Sequence, residues 1–116
     1  MKLRELVDQV TIDPRKLTDY ALDIENPKGK NKALMFLQHL SYTKDNYQLL
    51  LEQIYQNVLD AEAIPQTQDK YGTRYQVDLE IQGLKAEQIE TVRTGWLIPP
   101  NSKQARLVTL YIKKSS

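Results

Sequence analysis

The sequence predicts an α+β domain in which N-terminal helices pack on one face of a C-terminal three- to four-stranded antiparallel sheet. Three observations predict it. Up to about residue 62, apolar residues recur every three or four positions, the spacing of amphipathic helices. After Pro65 they recur at every second position, the spacing of half-buried strands. Helices come first, strands last, and the connections between them are short, which is the order of an α+β chain and not of an alternating α/β one.

The elements follow in order. Asp13 then Pro14 read as an N-cap and first helical position, and Leu17, Tyr20 and Ala21 continue a short helix over residues 14–23. Asn26-Pro27-Lys28-Gly29 ends it in a turn. Ala33, Phe36, Leu37 and Leu40 stand at i, i+3, i+4 and i+7, the stripe of a second helix. Thr43 can cap a third. Its stripe of Tyr47, Leu50, Leu51, Ile54 and Val58 predicts the longest helix over residues 44–60, packed against Val77, Trp96, Val108 and Leu110.

In the C-terminal half, Thr73, Tyr75, Val77, Leu79 and Ile81 alternate with Arg74, Gln76, Asp78 and Glu80. Val92, Thr94, Trp96 and Ile98 alternate with Thr91, Arg93, Gly95 and Leu97, up to the break at Pro99-Pro100. The last run, residues 106–112, sets Val108, Leu110 and Ile112 on one face and Leu107, Thr109 and Tyr111 on the other. Ala63-Ile64 starts a fourth, edge strand paired with residues 73–80 across a turn at Lys70-Tyr71-Gly72. Trp96 belongs to the apolar face and to the core.

The 116 residues allow one domain, with its core over residues 14–112. With no cysteine, the chain forms no disulfide, thiolate nucleophile or Cys-based metal site, and one histidine excludes a multi-His zinc site. No metal or cofactor is expected. Neither a membrane span nor a signal peptide is present, so a cytoplasmic protein is the expectation. Net charge is +1 but unevenly spread. Residues 1–90 hold 11 Lys and Arg against 15 Asp and Glu, whereas residues 91–116 carry Arg93, Lys103, Arg106, Lys113 and Lys114 and no acid. Such asymmetry can attract an anion or nucleic acid, or the two halves can simply neutralise each other.

Three groups of residues carry candidate chemistry. Lys28, Lys30 and Lys32 surround a turn that feeds a helix N-terminus, a setting for phosphate, although a solvated lysine turn is the plainer alternative. The second glycine and the hydroxyl of a Walker A loop are missing. His39 stands seven residues after Lys32, two turns along the same helix, and is the natural acid–base group; a structural histidine is the alternative. The third group lies on the polar sheet face, where alternation brings Arg74, Arg93, Thr109 and Tyr111 together around Gly95. Arginine grips phosphate with a rigid fork, and hydroxyls and an aromatic ring orient ribose or stack a base. The same residue types also populate ordinary solvated strands. Arg93 is expected to be exposed, and its replacement to leave stability almost unchanged.

Several stretches together resemble a bacterial, largely cyanobacterial, family of small domains with no assigned function. They are Lys16-Leu17-Thr18-Asp19-Tyr20-Ala21-Leu22; Pro27-Lys28-Gly29 with Lys32-Ala33 and Phe36; Tyr71-Gly72-Thr73-Arg74-Tyr75; Val92-Arg93-Thr94 with Trp96 and Ile98; and Arg106-Leu107-Val108-Thr109 with Tyr111. The likeness covers roughly residues 14–112. Asn26 stands where the relatives often carry His, which removes a general base there, and Ser41 stands where they often carry glycine. Domains of this kind also occur as C-terminal modules of toxin-like proteins, and helices followed by an antiparallel sheet are similar to metal-independent ribonucleases of the barnase, EndoU, colicin and RelE type. The resemblance implies a small ribonuclease toxin acting on RNA and held in check by a small cognate antitoxin or immunity protein. Arg74 and Arg93 would meet transition-state charge, Lys32 or His39 would exchange protons, Thr109 or Tyr111 would orient the ribose, and Lys28, Lys30, Arg106 and Tyr111 would hold RNA. The alternative is a non-catalytic interaction module, an antitoxin, immunity or adaptor protein whose sheet face binds another protein.

Overall fold

A computed structural model describes residues 1–113. A 3₁₀ turn (Leu3–Glu5) leads into strand β1 (Gln9–Thr11), a π-helical segment (Lys16–Ala21) and helices α1 (Lys30–Leu40) and α2 (Gln48–Asn57). A 3₁₀ turn (Val58–Asp60) then precedes strands β2 (Ile64–Asp69), β3 (Gly72–Gln82), β4 (Ile89–Ile98) and β5 (Gln104–Ile112). All five strands belong to one sheet, in the order β1-β5-β4-β3-β2. No helix among the described residues is long and apolar enough to cross a membrane.

The α+β class and the C-terminal antiparallel meander are as the alternation predicts, and so is the edge strand β2. The strand count is not. The sheet has five strands and is mixed, because β1 adds to β5 in parallel through Gln9↔Gln104, Val10↔Ala105 and Thr11↔Arg106. Three residues are too few to show a period of two, so β1 is invisible to pattern reading.

The helices also depart from their predicted form. Residues 16–21 wind as a π-helix, closed by the Leu22 N–H donating to the Leu17 carbonyl at 2.8 Å. The buried set is Leu17, Ala21 and Leu22, with Tyr20 59% exposed, and a five-residue spacing suits the wider π turn. Helix α2 has 10 residues and α1 has 11, so α2 is not the longest helix. Thr43 caps a turn ahead of α2, accepting the Asp45 N–H at 3.2 Å, and the segment 44–47 stays outside the helix. Helix α1 ends at Ser41, whose φ of +63° is the left-handed conformation that glycine adopts without cost.

Leu50, Ile54 and Val58 are fully buried beside Val77, Leu79, Ile81, Val92 and Trp96. Each such side chain contributes about 1.5–3 kcal/mol by leaving water. Tyr42 joins α2 to the end of β3: its hydroxyl donates to the Gln82 carbonyl at 2.6 Å and accepts from Gln53 Nε2 at 2.8 Å. Burial pushes that phenol's pKa up. At the β2–β3 hairpin Gly72 has φ +134°, and a Cβ there would stand 2.2 Å from the Ile98 carbonyl oxygen. Only glycine fits that approach.

One strand face differs from simple alternation. Between β4 and β5, Gly95 pairs with Thr109 but Trp96 pairs with Leu107, so β5 carries one extra residue, a β-bulge at Val108. Ala105, Leu107, Leu110 and Ile112 therefore face the core, while Val108 is 39% exposed. Val108 and Leu107 thus exchange the places expected of them, and α2 packs without Val108.

Candidate functional site

Across the outward face the strands set up three rows: Arg74–Leu97–Arg106, Gln76–Gly95–Thr109 and Asp78–Arg93–Tyr111. The bulge keeps Arg106 and Thr109 both on this face, which strict alternation would not. A hollow of about 250 Å³ opens over Gly95, lined by Arg74, Gln76, Arg93, Thr109 and Tyr111. Gly95 leaves room for the Thr109 methyl, which a Cβ would meet at 2.9 Å. The four polar residues that alternation assembles on this face do converge.

Arg93 is not the exposed cation expected. Its Nε and Nη2 donate to the two Asp78 carboxylate oxygens at 3.0 and 3.1 Å, and the two side chains are only 25% and 28% exposed. These bonds use two of the five guanidinium donors. Hydrogen bonding to Asp78 raises the Arg93 pKa, burial works against this, and Tyr111 adds a smaller increase. Lys113 approaches the second Asp78 oxygen at 4.0 Å. Arg74 reaches Asp69 at 3.4 Å across the hairpin.

A second hollow, of about 380 Å³, lies where the π-helical segment and the start of α1 meet the edge of β5. Lys16, Tyr20, Lys28, Lys32 and Thr109 line it. The pairing with β1 stops at Arg106, which leaves the later residues of β5 free for this contact. The turn is built by Asn26, whose Nδ2 donates to the Asp19 carbonyl at 3.1 Å and whose Oδ1 accepts the Lys28 N–H at 2.9 Å. Lys32 Nζ sits 4.7 Å from the centre of the Tyr111 ring, a cation–π contact. Among the described residues no carboxylate lies within 4.0 Å of Lys16, Lys28 or Lys32. Thr109 lines both hollows, and a third of about 660 Å³ along α1 is shared by Lys32, Arg93 and Tyr111. The basic surface is therefore continuous from Arg74 to Lys16.

Three of the candidate residues stand apart. Lys30 and Arg106 are exposed and line neither the sheet hollow nor the lysine hollow. His39 lies near the far end of α1 with Nδ1 3.6 Å from Glu90, which shares the core-side alternation of Val92 and not the Arg93 face. Lys114 lies outside the described residues. Sequence reading missed Lys16, Tyr20 and Asp78 as parts of the site. Asp78 was already on the Arg74 face by alternation, but only the strand register puts it opposite Arg93. Among the described residues no group of three or more His, Asp or Glu side chains converges in a way that could hold a metal ion.

Fold and surface together define a small α+β domain with a basic groove running off its sheet onto its helices. The chain belongs to a family described as a domain of unknown function (DUF6883), whose model matches residues 2–114. No curated protein matches it. Among solved structures, a chain of a contact-dependent growth inhibition toxin–immunity protein complex from Klebsiella pneumoniae 342 has the same fold. The TM-score is 0.66 at 17% identity, covering 88% of this chain and 98% of that one.

Proposed function

We propose that this protein is a toxin-type, metal-independent ribonuclease that binds RNA along the basic groove and cleaves it at the sheet hollow. The observation that carries the reading is the continuity of that groove, with two hollows sharing Thr109 and bordered by Arg74, Arg93, Lys32, Lys28 and Lys16. The fold shared with a chain of the contact-dependent growth inhibition toxin–immunity protein complex supports it, as do the stretches that resemble toxin-associated domains.

The chemistry needs a 2′-hydroxyl to attack the adjacent phosphorus, forming a cyclic phosphate and releasing a 5′-hydroxyl. Arg93, held from behind by Asp78, presents fixed donors to the extra negative charge of the phosphorane. Arg74 flanks it. Lys32, an ammonium over the Tyr111 ring, donates a proton to the leaving 5′-oxygen. The proton of the attacking 2′-hydroxyl passes to solvent water, and Thr109 orients the ribose. His39 plays no part, because it stands on the core side of the sheet beside Glu90.

The test is RNA cleavage by the purified chain in chelator. Arg93→Ala should lower kcat/KM about 10²–10³-fold, the scale of losing one preorganised donor. Because that change strands the Asp78 carboxylate, the double variant Arg93→Ala with Asp78→Asn separates lost chemistry from lost folding. Expression of the wild type should slow growth and the variant should relieve it. A wild type that leaves RNA intact and is harmless when expressed alone would end this reading.

A second reading is favoured by the Arg93–Asp78 pair itself, since it neutralises much of the sheet-face charge within the chain. In that reading the face binds a small cognate protein, and a stoichiometric complex should shield Arg93 and Tyr111 from solvent.

A further inference from the structure

We infer that the hollow between the π-helical segment and β5 is a nucleotide subsite for single-stranded RNA, with lysines on its phosphate and the Tyr20 ring under its base. The inference rests on the ribonuclease reading for the role of the adjoining sheet hollow. Its own grounds are separate.

The first is charge. Lys16, Lys28 and Lys32 line one hollow, and among the described residues none has a carboxylate within 4.0 Å. By contrast Arg74 and Arg93 are both paired. Asp13 and Asp19 lie on the far side of Lys16 and Tyr20, so Lys28 and Lys32 carry most of the free charge. Ammonium groups outside any salt bridge on a concave surface are suited to a phosphate.

The second is Tyr20. Leu17, Ala21 and Leu22, its apolar neighbours in the same segment, are all buried, whereas Tyr20 is 59% exposed and lines the hollow. Lys16 Nζ is 5.8 Å from its ring centre. A solvated aromatic ring beside cations is the arrangement on which single-stranded bases stack, without regard to base identity. Third, about 380 Å³ falls within the range of small-ligand pockets, and is more than a bare inorganic anion fills.

The shape of the path selects a single strand. Thr109 joins this hollow to the one over Gly95, but the first lies at the edge of β5 against the helices and the second on the outward sheet face. A chain passing from one to the other must turn around that edge. A single strand can make this turn and a stiff duplex cannot. The subsite therefore holds the nucleotide next to the scissile one.

Binding of a fluorescent 2′-O-methyl octauridylate, which cannot cyclise and so reports binding alone, tests the proposal by anisotropy across a salt series. Lys28→Ser with Lys32→Ser should weaken binding at low salt and flatten the log–log salt slope by about 1.4, the change expected when two fewer phosphates of a single strand are neutralised. Lys44→Ser with Lys85→Ser removes the same charge from other loops and should leave the slope in place. Tyr20→Ala should raise Kd about fivefold or more with no change in slope, and Tyr20→Phe should restore it. Equal effects from the two lysine pairs, Tyr20→Ala binding as wild type, or tighter binding of a duplex of equal length would each overturn the subsite. Trp96 fluorescence checks that every variant is folded. RNA left intact while the octauridylate binds as described would remove the ribonuclease reading and keep the subsite; cleavage with Tyr20 and the lysine pair both silent would do the reverse.

Discussion

Thr94 is the one polar residue buried in the core among the described residues, and it offers the sharpest test of how β4 is held in place. Its hydroxyl donates to the Val77 carbonyl at 2.6 Å and accepts the Trp96 indole N–H at 2.7 Å. Thr94 is 0% and Trp96 1% exposed, so water can replace neither bond. Thr94→Val keeps the shape and removes both. The stranded indole N–H costs about 1–3 kcal/mol and the lost bond to Val77 about 0.5–1.5. Burying a methyl in place of the hydroxyl returns about 0.8 kcal/mol. The expected net loss is about 2–3 kcal/mol, or about 10 °C in Tm for a domain of this size. Thr94→Ser keeps both hydrogen bonds and gives up only a methyl, costing about 0.5–1.5 kcal/mol. Trp96 is the only tryptophan, so its fluorescence in a urea titration follows unfolding and reports on the altered bond directly. A Thr94→Val variant within about 0.5 kcal/mol of wild type, or more stable than Thr94→Ser, would refute the role given to these two bonds.

The packing and the charges carry three further predictions. Leu50→Ala should cost about 2–5 kcal/mol in reversible denaturation, since the side chain is fully buried under the sheet. The bulge is tested by a pair of changes: Val108→Asp should be tolerated and Leu107→Asp should prevent stable folding, the reverse of what uninterrupted alternation predicts. Hydrogen bonds from the Arg15 side chain and backbone N–H lower the Asp13 pKa to about 2. Its contribution to stability is complete above the ordinary value of 3.8 and is lost as pH falls through about 2. A carboxyl NMR titration should show this, with Arg15→Ala bringing the value back up.

Much of the fold was legible because it depends on local periodicity. The long alternations of β3 and β4 and the stripe of α2 each place buried residues by spacing alone. What stayed hidden depends on distant partners. β1 is three residues whose pairing with β5 spans most of the chain. The exchange of Leu107 and Val108 arises from a bulge, and both residues are apolar, so no sequence pattern distinguishes them. The π winding of residues 16–21 fits the same apolar residues as an α-helix would until burial separates Tyr20 from Leu22.

The candidate site divides along the same line. Alternation alone carries Arg74, Arg93, Thr109 and Tyr111 to one face, and they do meet around Gly95. It cannot tell which cations are free. Arg93 looked like the open cation of the sheet, yet register places Asp78 directly opposite it and the two bind side by side. Sequence leaves Lys28 and Lys32 as either a phosphate setting or a solvated turn, and the packing of that turn against the edge of β5 gathers them with Lys16 around one hollow. His39 shares a helix with Lys32, and still stands on the other side of the sheet beside Glu90. The division of labour in the proposed ribonuclease has a physical basis. A guanidinium pinned by a carboxylate cannot reorganise, which suits a group that must meet charge developing in a transition state. In the proposed ribonuclease, ammonium groups outside any salt bridge would supply the longer-range attraction that brings a polyanion to the groove and weakens as salt is added.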